Sequence, residues 1–118
     1  GLKTHKLYDP VWKAPKAAML GFDVKAERAN QMVVGLDGYA TEVKVQGKGL
    51  WTSIILQCQD FKNAEAQALE SWEGCKELQL DAKITLKPSR GSQAKPSKLG
   101  AEWKGEAPSF RNLRWVSK

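Results

Sequence analysis

One histidine and two cysteines in 118 residues leave this chain with little from which to build an active site. The histidine, His5, stands near the start, and Cys58 and Cys75 form no CxxC pair, so the ligand spacing of a zinc site is missing. GxSxG, HExxH and a phosphate-cradling glycine loop are absent as well, and the carboxylates are scattered. The expectation is a protein without catalysis, resident metal or cofactor. No apolar run approaches the length of a bilayer span, so no membrane is expected, and the opening GLKTHKLYDP lacks the apolar core of a signal peptide. The two cysteines leave the compartment open. A disulfide in an exported protein and two separate thiols in a cytosolic one have the same trace in a sequence.

Negative charge is missing from one long stretch. Residues 1–75 carry nine basic and nine acidic side chains, whereas residues 76–118 carry ten and four, so the net charge of +6 lies in the last third. Between Ala82 and Ala101 there is no acidic residue, yet Lys83, Lys87, Arg90, Lys95 and Lys98 fall there. An acidic, phosphate-bearing partner accounts for that imbalance. A solvated loop is the plain alternative.

Along the chain, residues 1–18 hold Pro10, Pro15 and Trp12 without periodicity and read as an extended arm, and residues 19–118 as one domain. Residues 19–26 alternate, with Leu20, Phe22 and Val24 on one side, and 32–36 form a second apolar run. Asp37-Gly38 marks a tight turn into a half-buried strand over 39–46. After the turn Gly47-Lys48-Gly49, residues 50–59 read as a central strand. Trp51 and Ile55 lie opposite the row Leu50, Ile54, Leu56 and Cys58, so the second face also needs cover, from a ligand base or from protein.

Residues 60–72 switch to a helical period, with Phe61, Ala64, Ala68, Leu69 and Trp72 on one side, Asp60 or Asn63 as cap and Gly74 as terminator. Strict alternation returns over 77–87 as one strand, followed by a Pro-, Ser- and Lys-rich loop that closes a basic hairpin over 83–104. A last strand covers 109–116. The expected fold is therefore mainly β: a curled antiparallel sheet or small barrel with one α-helix from about Asp60 to Trp72.

Five tryptophans stand out in so short a chain. Trp72 reads as core and Trp12 as a staple for the arm. Trp51 faces away from the main row, Trp103 lies beside Lys104, and Trp115 follows Arg114, so these three divide between base stacking and packing. With Lys83, Lys87, Arg90, Lys95, Lys98, Lys104, Arg111 and Arg114 they form the candidate nucleic-acid-binding set. Rings interleaved with cations on a sheet suit single strands, whose bases offer a π-face for stacking.

QMVVGLDGYATEVKV, LWTSIIL, the helical stretch 60–72, GCKELQLDAKITLKPSR, EWKG and FRNLRWVSK follow one another in an order that resembles the single-stranded DNA-binding protein family. That resemblance implies an oligonucleotide-binding (OB) fold and sequence-tolerant binding of single-stranded DNA in replication or recombination. By position it passes base stacking to Trp51 and Trp103, with Lys83, Lys87 and Arg90 facing phosphates. It points to a phage- or plasmid-type relative in the cytoplasm of a bacterial host. The expected partner is single-stranded DNA or RNA, and association between copies of the chain stays open. The alternative is a structural or adhesive β domain, exported or virion-associated, with Cys58 and Cys75 bridged and the tryptophans in protein contacts.

Overall fold

The computed structural model describes residues 5–8, 18–72, 75 and 77–117. The described strands are β1 (His5–Tyr8), β2 (Ala18–Ala26), β3 (Asn30–Leu36), β4 (Tyr39–Val45), β5 (Leu50–Leu56), β6 (Glu77–Asp81), β7 (Lys83–Leu86), β8 (Ser97–Gly100) and β9 (Ser109–Ser117). They make a four-stranded sheet in the order β1-β6-β3-β4, a three-stranded sheet in the order β5-β2-β9, and the hairpin β7-β8. All pairings are antiparallel. The protein is mainly β, and no closed barrel forms among the described residues. No helix among them is long and apolar enough to cross a membrane.

Alternation dictates the layering. In β2 the residues Leu20, Phe22, Val24 and Ala26 point one way, and they meet Met32, Val34 and Leu36 of β3 and Leu78 and Leu80 of β6 across one core. Each such side chain removed from water contributes roughly 1.5–3 kcal/mol. The turn expected at Asp37-Gly38 is present, with φ of 48° and 85°, the paired positive values a two-residue hairpin requires.

Residues 77–87 do not form the single strand that their alternation predicts. The chain breaks at Ala82, where the Ala82 N–H donates to Asp81 Oδ1 at 2.7 Å and the Ala82 carbonyl accepts from Ala101 N–H at 3.2 Å. Leu78, Leu80 and Ala82 face the main core, while Ile84 and Leu86 face Val33 and Ala40 on the other side of the β3-β4 pair. The β7-β8 hairpin is therefore a third layer, and Ile84 packs over Gly35. The expected basic hairpin exists, with Ile84 opposite Leu99 and Thr85 opposite Lys98.

The expected helix over 60–72 is absent. A single 3-10 turn (Cys58–Asp60) is followed by an open loop, and Asp60 caps that turn by accepting from Gln57 N–H at 2.8 Å. Two local competitors defeat the helical period. The Asn63 side-chain oxygen Oδ1 accepts from the N–H groups of Glu65 and Gln67, a turn that a short polar side chain offers in place of helix. Lys62 meanwhile pairs with Ala40 through bonds of 2.9 and 3.0 Å and with Ala68 across the loop. A stretch of this length is marginal as a free helix, so backbone pairing with β4 prevails. Phe61 and Trp72 still reach the core, edge to face at 5.6 Å, by the chain doubling back.

The arm expected over 1–18 also differs, since His5–Tyr8 adds a strand to the edge of β6 and Ala18 begins β2. The rest of the arm, with Trp12, and the expected terminator Gly74 lie outside the described residues.

The hairpin seat is testable at Gly100, which has φ +86° and where a Cβ would drive into the Ala82 carbonyl oxygen. Gly91 has φ +83° but faces open space. Gly91→Ala is expected to lose only about 1–2 kcal/mol, the usual left-handed backbone cost. Gly100→Ala is expected to lose clearly more in urea melts, and equal losses would show that the hairpin is not seated against Ala82.

Candidate functional site

The outer face of the β5-β2-β9 sheet is formed by the residues of β2 that the core does not take. Gly21, Asp23 and Lys25 alternate with the buried row, and each is flanked by one residue of β5 and one of β9. Trp51, Lys25 and Ser109 make one row across the sheet; Ser53, Asp23 and Arg111 make the next; Ile55, Gly21 and Arg114 make the third.

Asp23 is the hub of this face. Its side chain is nearly buried, and each carboxylate oxygen takes two donors. Ser53 Oγ donates to Oδ1 at 2.9 Å and Arg114 Nη1 at 3.4 Å; Asn112 Nδ2 donates to Oδ2 at 2.8 Å and Arg111 Nε at 3.3 Å. The hydrogen bond from Asn112 and then that from Ser53 pull the carboxyl from an ordinary 3.8 down to about 2, against the opposing effect of burial, and Arg111 and Arg114 add to them. A bulge makes this convergence geometrically attainable. The pairing of β9 with β2 shifts between Gly21 and Asp23, and Asn112 adopts φ 58°, a left-handed conformation that asparagine tolerates. Arg111, Asn112 and Arg114 thus reach one carboxylate from three positions that a regular strand would divide between two faces.

Beside this hub lies Trp51, half-buried, with the Arg111 guanidinium 3.9 Å and the Lys25 ammonium 5.0 Å from its ring centroid. Ile55, 42% exposed, extends the apolar part of the face. Three cations against one carboxylate leave it positive.

Of the residues expected to bind nucleic acid, the structure brings together Trp51, Arg111 and Arg114. Trp103 is placed otherwise: it is buried in the main core, and its indole N–H donates to the Glu106 carbonyl at 2.7 Å. A ring in that position offers no free face for a base, which corrects the expectation drawn from its lysine neighbour. Trp115 pairs with Leu20 and packs 5.3 Å from Trp72 on the core side of the sheet, so it too acts in packing. Lys83, Lys87, Arg90, Lys95 and Lys98 are exposed on the β7-β8 hairpin, which covers the far side of the other sheet. The whole sandwich separates them from Trp51. Lys83 is paired with Glu102 at 3.6 Å, and exposed Lys104 exchanges its backbone groups with the Asn30 side chain near the β2-β3 turn.

Lys25, Asp23, Ser53 and Ile55 were not among the expected site residues. Asp23 and Lys25 are the polar phase of the 19–26 alternation, and Ser53 and Ile55 share the second face of 50–59 with Trp51, but which strand lies beside which is not a local property. Cys58 and Cys75 are free thiols, and burial pushes Cys75 up to about 11. Among the described residues no group of three His, Cys, Asp or Glu side chains is placed to hold a metal.

Since the folded Asp23 value lies below the unfolded one, its stabilisation is complete above 3.8 and is lost as pH falls towards about 2. Thermal melts between pH ~5 and pH ~2 are expected to show a steep acid decline that is shallower in Asp23→Asn, which should itself be less stable at pH ~5. Parallel declines would remove Asp23 from this role. Comparison of the chain with protein-family models, curated proteins and solved structures finds no match.

Proposed function

We propose that this chain is a binding domain for single-stranded nucleic acid, DNA in the first instance, and that it takes its ligand on the outer face of the β5-β2-β9 sheet. The observation that supports this reading is the Trp51 ring beside Arg111 and Lys25 on an open sheet face, with Arg114 two rows away. Each base of a single strand offers a π-face to an indole, and the phosphates between bases need cations at short intervals. Stacking and phosphate contacts read no base edges, so binding is sequence-tolerant. The resemblance of the order of sequence segments to single-stranded DNA-binding proteins points to the same ligand class, although here the aromatic platform is one open sheet face and not the groove of a closed barrel.

The hairpin lysines and Arg90 form a second, separate positive surface. From the far side of the sandwich they raise the local concentration of a polyanion and its encounter rate, with strong dependence on salt.

Tryptophan fluorescence titration with single-stranded oligonucleotides at two salt concentrations tests the reading. Trp51→Ala is expected to weaken binding by ~1–3 kcal/mol, about 5- to 150-fold in Kd, while melting close to the unsubstituted protein. Lys25→Gln is expected to flatten the slope of log K against log salt by about 0.7, the single-strand value for one phosphate contact. Trp72→Ala, a core control, should instead lose ~3–5 kcal/mol of stability. Undiminished binding by Trp51→Ala, or no binding by the unsubstituted chain at low salt, would overturn the proposal.

A further inference from the structure

The edges of the sheets differ in how they meet solvent. An edge strand presents unpaired N–H and C=O groups, and proteins ordinarily guard such strands with charge, bulges or cover. β9 carries Arg111 and Arg114 and is bulged at Asn112. β4 carries Glu42 and Lys44, both exposed, and Lys62 pairs with it at Ala40. The β7-β8 hairpin carries Lys83 and Lys98, and the sequence of β1 contains Lys6. β5 has none of these devices. Its seven residues LWTSIIL include no charge, proline or glycine, and Leu50 and Ile55 are 59% and 42% exposed. Among the described residues β5 pairs only with β2, so no described strand occupies its outer edge.

We infer that β5 is the contact strand of a two-fold dimer, in which it pairs antiparallel with β5 of a second copy of this chain. The register is self-complementary about Ser53. Antiparallel pairing centred there places Leu50 opposite Leu56, Trp51 opposite Ile55 and Thr52 opposite Ile54, with every pair on matching faces of the sheet. No charge meets a like charge, and Trp51, Thr52, Ile54 and Ile55 are of the types that favour strands. The positive charge of each copy does not oppose this approach strongly, because much of it rides on the hairpin, across the sandwich from β5. The result is one continuous sheet in the order β9-β2-β5-β5-β2-β9. Both Trp51 rings then lie on the same outer face, each beside Ile55 of the second copy, and the two basic faces become one surface. The pairing depends on the strand edge alone and does not rest on the ligand proposed above.

Sedimentation velocity of the full chain over a range of concentrations is expected to show a monomer–dimer equilibrium. Ser53→Lys places two lysines opposite each other at the two-fold axis and should raise the dimer dissociation constant by about tenfold or more. Ser53→Cys should give a covalent dimer on non-reducing gels after mild oxidation with copper-phenanthroline. Thr52→Cys, which faces Ile54 of the second copy, should not, and the unsubstituted chain run in parallel measures the background from Cys58 and Cys75. A monomer at every concentration would overturn the inference. So would a dimer that Ser53→Lys leaves unchanged and Ser53→Cys fails to cross-link, since its contact would lie elsewhere.

Discussion

A carboxylate that is nearly withdrawn from water must either be protonated or be surrounded by donors, and Asp23 is surrounded. The requirement reaches well beyond the residue. Four side chains from two neighbouring strands converge on it: Arg111 stands directly opposite Asp23, and the bulge in β9 brings Asn112 and Arg114 to the same carboxylate. Arg111, held on one edge by Asp23, lies with its planar guanidinium over Trp51. The ring that could meet a ligand is thus placed by a chain of contacts that begins at a buried negative charge. A carboxylate here also limits the positive potential of the face, since it offsets one of the three cations around it.

The sandwich divides the positive charge of the protein between two surfaces. On one side Lys25 and Arg111 flank the Trp51 ring, with Arg114 on the same face; on the other the β7-β8 hairpin bears exposed lysines and Arg90. Carboxylates from other segments dock that acid-free stretch. Glu65 accepts the Ser89 N–H at 2.7 Å, a bond that keeps its carboxyl below the ordinary range, and Glu42 accepts the Gly100 N–H at 2.8 Å. The hairpin is basic in composition but is anchored by acidic residues more than twenty positions away.

Residues 57–72 show how a tertiary contact overrides a local period. Phe61, Leu69 and Trp72 satisfy the spacing of a helical face, and the same three residues are also brought to the core by a loop that turns on Asn63 and pairs with β4. Both solutions bury the same side chains. The second also gives the backbone of β4 a partner at Ala40, which no helix supplies.

What the sequence by itself determined is the alternation of β2, β4 and β6, the apolar run of β3, the tight turn at Asp37-Gly38, the core role of Trp72, the opposition of Trp51 to the Leu50 row and the basic hairpin. All of these depend on residues within a few positions of one another, because a strand has a period of two and a turn needs particular backbone angles. Tertiary structure alone decided which strand lies beside which, and with that the site. Trp51 and Trp103 each stand close to basic residues, yet one flanks an open sheet face and the other fills the core between the sheets. Their difference comes from pairing partners 26 or more residues distant and from the break at Ala82, which turns the next strand onto another layer. No local pattern encodes that choice, because burial is a property of what packs on a residue and not of the residue's own neighbours in the chain.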